Sequence, residues 1–485
     1  NMRMYVTESI EDVTARISED LSDGMSGVDR YNAIDRASKA IVAECEATPG
    51  YRCDVYVFHH GLSFQLVKQL EIRDIRLVYA PKEAIGKFGG DIDNWMWPRH
   101  TGDYSFFRAY VGQDGKPAAY DKDNVAFKPK HHLKLQPQGV QPGDFMMVAG
   151  YPGRTNRYRL AEEVRDAVEW QYPAIIDLYE RYAAIVEGAP NEAARLKYAG
   201  NVASWNNTLK NFGGQIEGLQ RADAVALKAR RENELAAWLA REGANGDQLS
   251  TGIDGLRRML AEQRKVGQRD LLMRQLNSLG LFRAVRDIYR LAIERQKPDL
   301  EREYGYQLRD EVRIEGALQQ LDRRFDPAIE TELATEILTR YAALDADQRI
   351  AELDAWLDGA ATREQIRTKV ATLYADTKLG SIEERLKWFK ADRDAIESAD
   401  DPYLEFMVDV MPAWLRLENE RKDFEGRGYE FRPQYMQAMI DFNRAKGRPI
   451  YPDANNSLRV SFGKVIGYSP RDGVDYRPMT TLKGI

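Results

Sequence analysis

The sequence predicts an α+β protein in which a β-rich fold is interrupted by a large α-helical insertion. Three observations carry this reading. Short runs of β-branched and aromatic residues dominate up to about residue 153, Ala-, Leu-, Glu- and Arg-rich segments at helical spacing fill about 157–446, and strand-like alternation returns after Gly447. The expected division is therefore a β-rich part over 1–155, an α-helical part over 156–447 and the start of a second β part over 448–485.

In the first part, strands are expected at Met4–Thr7, Asp54–Phe58, Arg76–Tyr79, Tyr104–Val111 and Asp144–Ala149. Turns are expected at Gly112–Lys116 and Gln141–Asp144, where Gly, Asp and Pro cluster. One helix, about Val28–Ala47, interrupts them with Tyr31, Ile34, Ala37, Ile41 and Val42 on one face. Further on, Asp223–Glu242, Glu301–Arg324, Thr331–Asp345 and Ile382–Ser398 read as helices. Their apolar stripes include Leu235, Trp238 and Leu239, and Ile337, Leu338, Tyr341 and Leu344. No fixed-period repeat marks a solenoid. A last strand is expected within Asn456–Tyr468, followed by a loop.

Composition narrows the function. The 485 residues carry 70 Lys plus Arg against 76 Asp plus Glu, a net charge of −6, which offers no phosphate-neutralising surface and argues against nucleic acid as a partner. No apolar run reaches the roughly 20 residues of a bilayer-spanning helix, so no such span is expected. The chain begins at Asn1 without a basic and apolar leader; any targeting segment is expected to lie upstream or to have been removed, and the sequence is expected to be a piece of a larger protein. The only cysteines, Cys45 and Cys53, bracket the turn-like Ala47-Thr48-Pro49-Gly50. That spacing fits a short disulfide in an oxidising compartment and equally two buried thiols in a reducing one.

Reactive side chains are densest in Phe88–Arg108, a Gly-rich connection between strands that contains Asp91, Asp93, Asn94, Trp95, Trp97, Arg99, His100 and Asp103. Asp103 follows Gly102 and precedes an aromatic β-run, as does the aspartate that orients the catalytic imidazole in a chymotrypsin-like barrel; a turn Asp capping a strand end fits the same pattern. Asp91, Asp93, His100 and Asp103 match no established metal-ligand spacing, so neither a metal nor another cofactor is expected. The adjacent pairs His59-His60 and His131-His132 would face opposite sides of a strand. No Gly-x-Ser-x-Gly elbow and no phosphate-cradling Gly-x-x-x-x-Gly-Lys occurs.

Phe88-Gly89-Gly90-Asp91-Ile92-Asp93-Asn94-Trp95-Met96-Trp97-Pro98-Arg99-His100-Thr101-Gly102-Asp103 closely resembles a long signature of the bacterial dipeptidyl-peptidase 7 and 11 family, serine peptidase family 46. Val148–Thr155, Trp205-Asn206-Asn207-Thr208-Leu209-Lys210-Asn211 and Tyr451–Asn455 extend the likeness along the chain. The resemblance implies a chymotrypsin-like double β-barrel carrying a helical lid, and a Ser-His-Asp triad of which Asp103 is the aspartate. It also implies release of dipeptides from peptides with a free amino terminus. Asn94 and Trp95 are implied to hold the substrate amine together with a helical-domain asparagine, Asn207 or, one turn on, Asn211. The family's Asn-His-His-Cys-type and Gly-Asn-Ser-Gly-type motifs are absent, so these residues are expected to be the middle of the enzyme and inactive by themselves. A periplasmic or secreted location and a homodimer are further expectations. The rival reading is a non-catalytic helical scaffold with the Trp-rich loop as a peptide-docking site.

Overall fold

The computed structural model describes residues 2–484. The amino-terminal sheet has three antiparallel strands, β1 (Met4–Asp12), β2 (Tyr51–Phe58) and β3 (Ser63–Ile72), in the order β1-β3-β2. The helix Gly27–Glu46 connects β1 to β2; Ser26 caps it by accepting the Asp29 amide. It buries Ile34 and Ile41 against Val13, Ile17, Cys53, Phe64 and Leu66. A disulfide joins Cys45 near the end of this helix to Cys53 on β2, with a Cα–Cα distance of 6.2 Å. β3, the central strand, is absent from the sequence reading. Its polar Gln65 and Gln69 dilute the strand signal, yet they bond Asp12 and Thr7 across the ladder while Phe64 and Leu66 enter the core.

A second three-stranded sheet pairs β4 (Asp74–Tyr79) with β5 (Phe106–Val111) and β5 with β6 (Val125–Ala126). β7 (Phe145–Gly150) pairs with β8 (Arg459–Lys464), so the chain enters and leaves the helical region through one antiparallel ribbon, continued by the bridge Arg154↔Asn455. β9 (Tyr468–Arg471) and β10 (Val474–Tyr476) form a hairpin where the sequence suggests a loop. The fold is thus α+β. Among the described residues the sheets have three, two, three and two strands, and none closes into a barrel.

Between β7 and β8 the described secondary structure is wholly helical, from Ala161 to Ala445. Glu301–Arg324, read as one helix, is divided into the helix Leu308–Gln320 and two single 3₁₀ turns, and Ile382–Ser398 into Ile382–Phe389 and Arg393–Glu397. The 44-residue helix Pro402–Ala445 is the longest element. Its first turns, Tyr403 to Trp414, join the main helical core with residues such as Phe282, Ile337 and Tyr341; its last turns, Tyr435 to Phe442, join a second core with Leu160, Leu235 and Leu256. Midway, Tyr429 packs on Phe64 of β3.

The long helix and the helix Gly27–Glu46 cross at two glycines. A Cβ on Gly426 would lie 1.8 Å from the Gly27 carbonyl oxygen, and one on Gly27 would lie 2.1 Å from the Asp423 carbonyl oxygen, so only hydrogen fits at either position. Gly426→Ala is therefore expected to destabilise the protein by about 1–3 kcal/mol through overpacking against backbone. Gly428→Ala, in the same helix with nothing within 4 Å of the added carbon, should instead stabilise it by roughly 0.5–1 kcal/mol. Urea denaturation midpoints of the two variants check the opposite signs.

The two crossings of the chain are tied by Asp453. Its Oδ1 accepts from Thr155 Oγ1 at 2.6 Å and from the Arg157 amide at 2.9 Å, and its Oδ2 lies 3.2 Å from His60 Nε2. Burial pushes the Asp453 carboxyl up, and the hydrogen bonds from His60, Thr155 and Arg157 outweigh it, leaving the group below its ordinary value. A depressed carboxyl stabilises the fold fully above its unfolded value, about 3.9, and the contribution disappears as pH falls through the lower folded value. The stability difference between the parent protein and Asp453→Asn is therefore expected to shrink as pH falls below about 4, read from denaturation midpoints along the pH series.

Candidate active site

The connection from β4 to β5 is held in shape by its own hydrogen bonds. Thr101 Oγ1 donates to the Phe88 carbonyl at 2.8 Å and the Gly102 amide to the Ile85 carbonyl at 3.0 Å, which closes residues 85–102 into a loop. Within it, Gly89 (φ +80°) lets the Asp93 side chain fold back, since a Cβ at Gly89 would sit 1.7 Å from Asp93 Oδ2. Asp93 is buried, whereas Trp95, itself in the left-handed region at φ 61°, is exposed.

This loop meets the helix Glu192–Arg221 from the helical region. Asn207 Oδ1 accepts from Asn94 Nδ2 at 2.9 Å and from Trp95 Nε1 at 3.0 Å, although 113 and 112 residues separate the partners in the chain. Asn206 Nδ2 donates to Asp91 Oδ2 at 3.0 Å, and Lys210 Nζ donates to the Asp91 carbonyl at 2.7 Å and to the Ile92 carbonyl. From within the loop, Arg99 Nη1 donates to Asn94 Oδ1 at 3.0 Å and so turns the Asn94 amide nitrogen toward Asn207. On the far side, Trp97 Nε1 donates to the Arg477 carbonyl at 3.2 Å and His100 Nε2 lies 3.1 Å from Thr480 Oγ1.

Asn94, Trp95 and Asn207 are thus in direct contact. Asn211 is not at the loop: its Oδ1 accepts from Gln215 Nε2 on its own helix, and Gln215 Oε1 in turn accepts from Tyr172. One helical turn keeps Asn211 on the Asn207 face but moves it about 6 Å along the axis, past the loop. Asp103 lies outside β5, which begins at Phe106 and not at Tyr104, and its carboxylate is exposed with no hydrogen-bond partner among the described residues. Asp91, Asp93, His100 and Asp103 do not converge, and no three His, Cys, Asp or Glu side chains among the described residues are placed to hold an ion. Asn206, Lys210, Asp91 and Arg99 complete the contact; the sequence places all four in the distinctive runs Phe88–Arg108 and Trp205–Asn211 but gives none of them this role. On the helix, Lys210 lies four positions after Asn206 and three after Asn207 and so neighbours both, which was the available signal for Lys210.

The pattern of the Peptidase S46 family matches residues 1–485. The chain belongs to this family. An Asp/Glu-specific dipeptidyl-peptidase of Shewanella putrefaciens is 41% identical to the S46 chain over 487 residues, covering 100% of it and 66% of the relative. The S46 chain therefore spans just under two thirds of that relative's length. Among solved structures, Porphyromonas endodontalis DPP11 in complex with the dipeptide Arg-Glu matches with a TM-score of 0.77 at 27% identity, covering 99% of the S46 chain and 69% of the other. The same protein in an alternate conformation matches with a TM-score of 0.66 at 26% identity, covering 99% and 67%. No helix among the described residues is long and apolar enough to cross a membrane.

Proposed function

We propose that the S46 chain supplies the amine-anchoring site, the triad aspartate and the helical cover of a serine-type dipeptidyl aminopeptidase, which releases dipeptides from peptides with a free amino terminus. The observation that carries this reading is the meeting of Asn94, Trp95 and Asn207 across the gap between the β-rich and helical parts. An α-ammonium needs acceptor oxygens, and carboxamides supply them without a competing charge. Asn94 Oδ1 holds only Arg99, which leaves it a second lone pair; Asn207 Oδ1 already accepts two donors, one of which the substrate ammonium would displace. The indole of Trp95, whose N–H edge meets Asn207 Oδ1, walls the site. Fixing the ammonium at a set distance from the nucleophile makes the second peptide bond the one that reacts.

In this reading Asp103 orients the catalytic histidine, the serine is acylated and water releases the dipeptide, with the histidine and serine contributed by sequence beyond these 485 residues. The double barrel would be completed by the same sequence. The exposed apolar side chains Leu77, Tyr79 and Phe106 on β4 and β5, and Phe145, Val148 and Phe462 on β7 and β8, support that completion. We assign an acidic preference at the residue before the scissile bond on the likeness to the Shewanella peptidase. A periplasmic or secreted location is supported by the Cys45–Cys53 disulfide, and a homodimer remains part of the proposal.

In the full-length enzyme, Asn94→Ala is expected to weaken kcat/KM for free-amino peptides by about 1–3 kcal/mol, the loss typical of a hydrogen bond to a charged group, and to leave amino-blocked peptides nearly unchanged. Equal losses on both substrates would remove the amine-anchor role. The 485-residue chain alone is expected to release no dipeptide from a fluorogenic substrate, because it would lack both the nucleophile and its base; turnover sensitive to a serine-directed inhibitor would show that the nucleophile lies within it.

A further inference from the structure

The loop that carries Asn94 and Trp95 is not held against the helical region by apolar burial. Ile92 is 83% exposed, Trp95 60% and Met96 54%, so little hydrophobic area is available to fix the height of the loop over the Asn207 helix. What joins them is polar and comes from one helical turn. Asn206 takes the Asp91 carboxylate, Asn207 takes Asn94 and Trp95, and Lys210 takes the carbonyls of Asp91 and Ile92. An ammonium on a four-carbon stem has three donors and can bridge two neighbouring carbonyls, which a planar guanidinium does less readily.

We infer that Asn206 and Lys210, with Asp91 as their partner, are positioning residues that clasp the loop onto the helix and so set the Asn94–Asn207 spacing at which the substrate amine is bound. This inference rests on the amine-anchor reading for its functional consequence. The clasp itself is independent of that reading, because neither residue touches the proposed amine site. It acts by keeping Asn94 and Trp95 within hydrogen-bond reach of Asn207, so that the substrate does not have to order a free loop as it binds. Losing it should weaken binding and leave the chemical step largely intact. The charge in the Asp91–Asn206 pair also gives the clasp a sign: a carboxylate on both sides must repel, and exchanging the two groups must restore the bond.

The test uses the full-length enzyme and a free-amino dipeptidyl substrate. Asn206→Asp, which opposes two carboxylates, and Lys210→Met are each expected to raise KM about tenfold with kcat changed less than about threefold. The exchange Asp91→Asn with Asn206→Asp should bring KM back to within about threefold of the parent enzyme, a recovery that a general defect of helix or loop would not give. Hydrogen exchange on the ligand-free protein supplies a readout without substrate: Lys210→Met should speed exchange across residues 88–102 by about tenfold, while the buried helix Pro327–Ala342 exchanges as before and reports an intact fold. Lys210→Arg, which keeps the charge, should lie between the two. An unchanged loop exchange rate in Lys210→Met, or failure of the exchanged pair to recover KM, would overturn the clasp even if Asn94→Ala discriminates free from blocked peptides. The converse pattern, altered loop exchange with no discrimination by Asn94→Ala, would keep the clasp and refute the amine anchor.

Discussion

The arrangement depends on one helix, Pro402–Ala445, that is shared by every hydrophobic core of the described chain. At about 1.5 Å per residue it extends roughly 65 Å, long enough for its ends to lie in different cores. Asp401 starts it by accepting the Tyr403 and Leu404 amides, and the same carboxylate holds Thr377 and the Lys378 amide, so its origin is fixed within the main core. Halfway along, the contact between Gly426 and Gly27 brings backbone against backbone, and Tyr429 reaches the β3 side chains. Because interiors are close-packed and yield little, a rod embedded in both regions transmits the position of one to the other. The Asn207 helix is docked in the main core through Ala194 and Tyr198, and the loop hangs from the β-rich part; the long helix is the element common to both.

The proposed site is a polar contact between those two regions. It has no buried apolar seam, and its residues are exposed enough for solvent to compete for every bond. Several weak contacts from one helical turn substitute for a single strong one. The orientation of the Asn94 amide is set at second hand, by Arg99 on its oxygen, and the Asn207 oxygen gathers two donors from the opposite region. In the proposed site a ligand cation would replace one protein donor at Asn207 Oδ1 and displace water from the free lone pair of Asn94 Oδ1.

Asp453 and the disulfide hold the periphery in a comparable way. Asp453 joins the segment entering the helical region to the His60 turn, and the segment that carries it is the one leaving, so three stretches of chain share one carboxylate. The bond between Cys45 and Cys53, 8 positions apart in the chain, closes a short loop between the helix Gly27–Glu46 and β2, limiting the freedom of the unfolded chain more than it adds contact to the folded one.

Local pattern alone determined much of this. The apolar period of Tyr31, Ile34, Ala37 and Ile41 marked the helix found at Gly27–Glu46, and the switch of period near Gly153 and Gly447 marked where helices replace strands. The run Phe88–Asp103 was distinctive enough to indicate the family and the loop that bears the candidate residues. What the tertiary structure decided is everything set by partners distant in the chain. β3 is central because β1 and β2 flank it and satisfy its polar side chains; Cys45 and Cys53 bond because a helix end and a strand bring their Cα atoms to 6.2 Å. The sequence puts Asn207 first and Asn211 one turn on as the alternative on the same helix face, and only the height of a loop more than a hundred residues away decides between them. Periodicity reports which way a side chain points from its own backbone; which group waits for it there depends on how separate elements pack, and no local window contains that information.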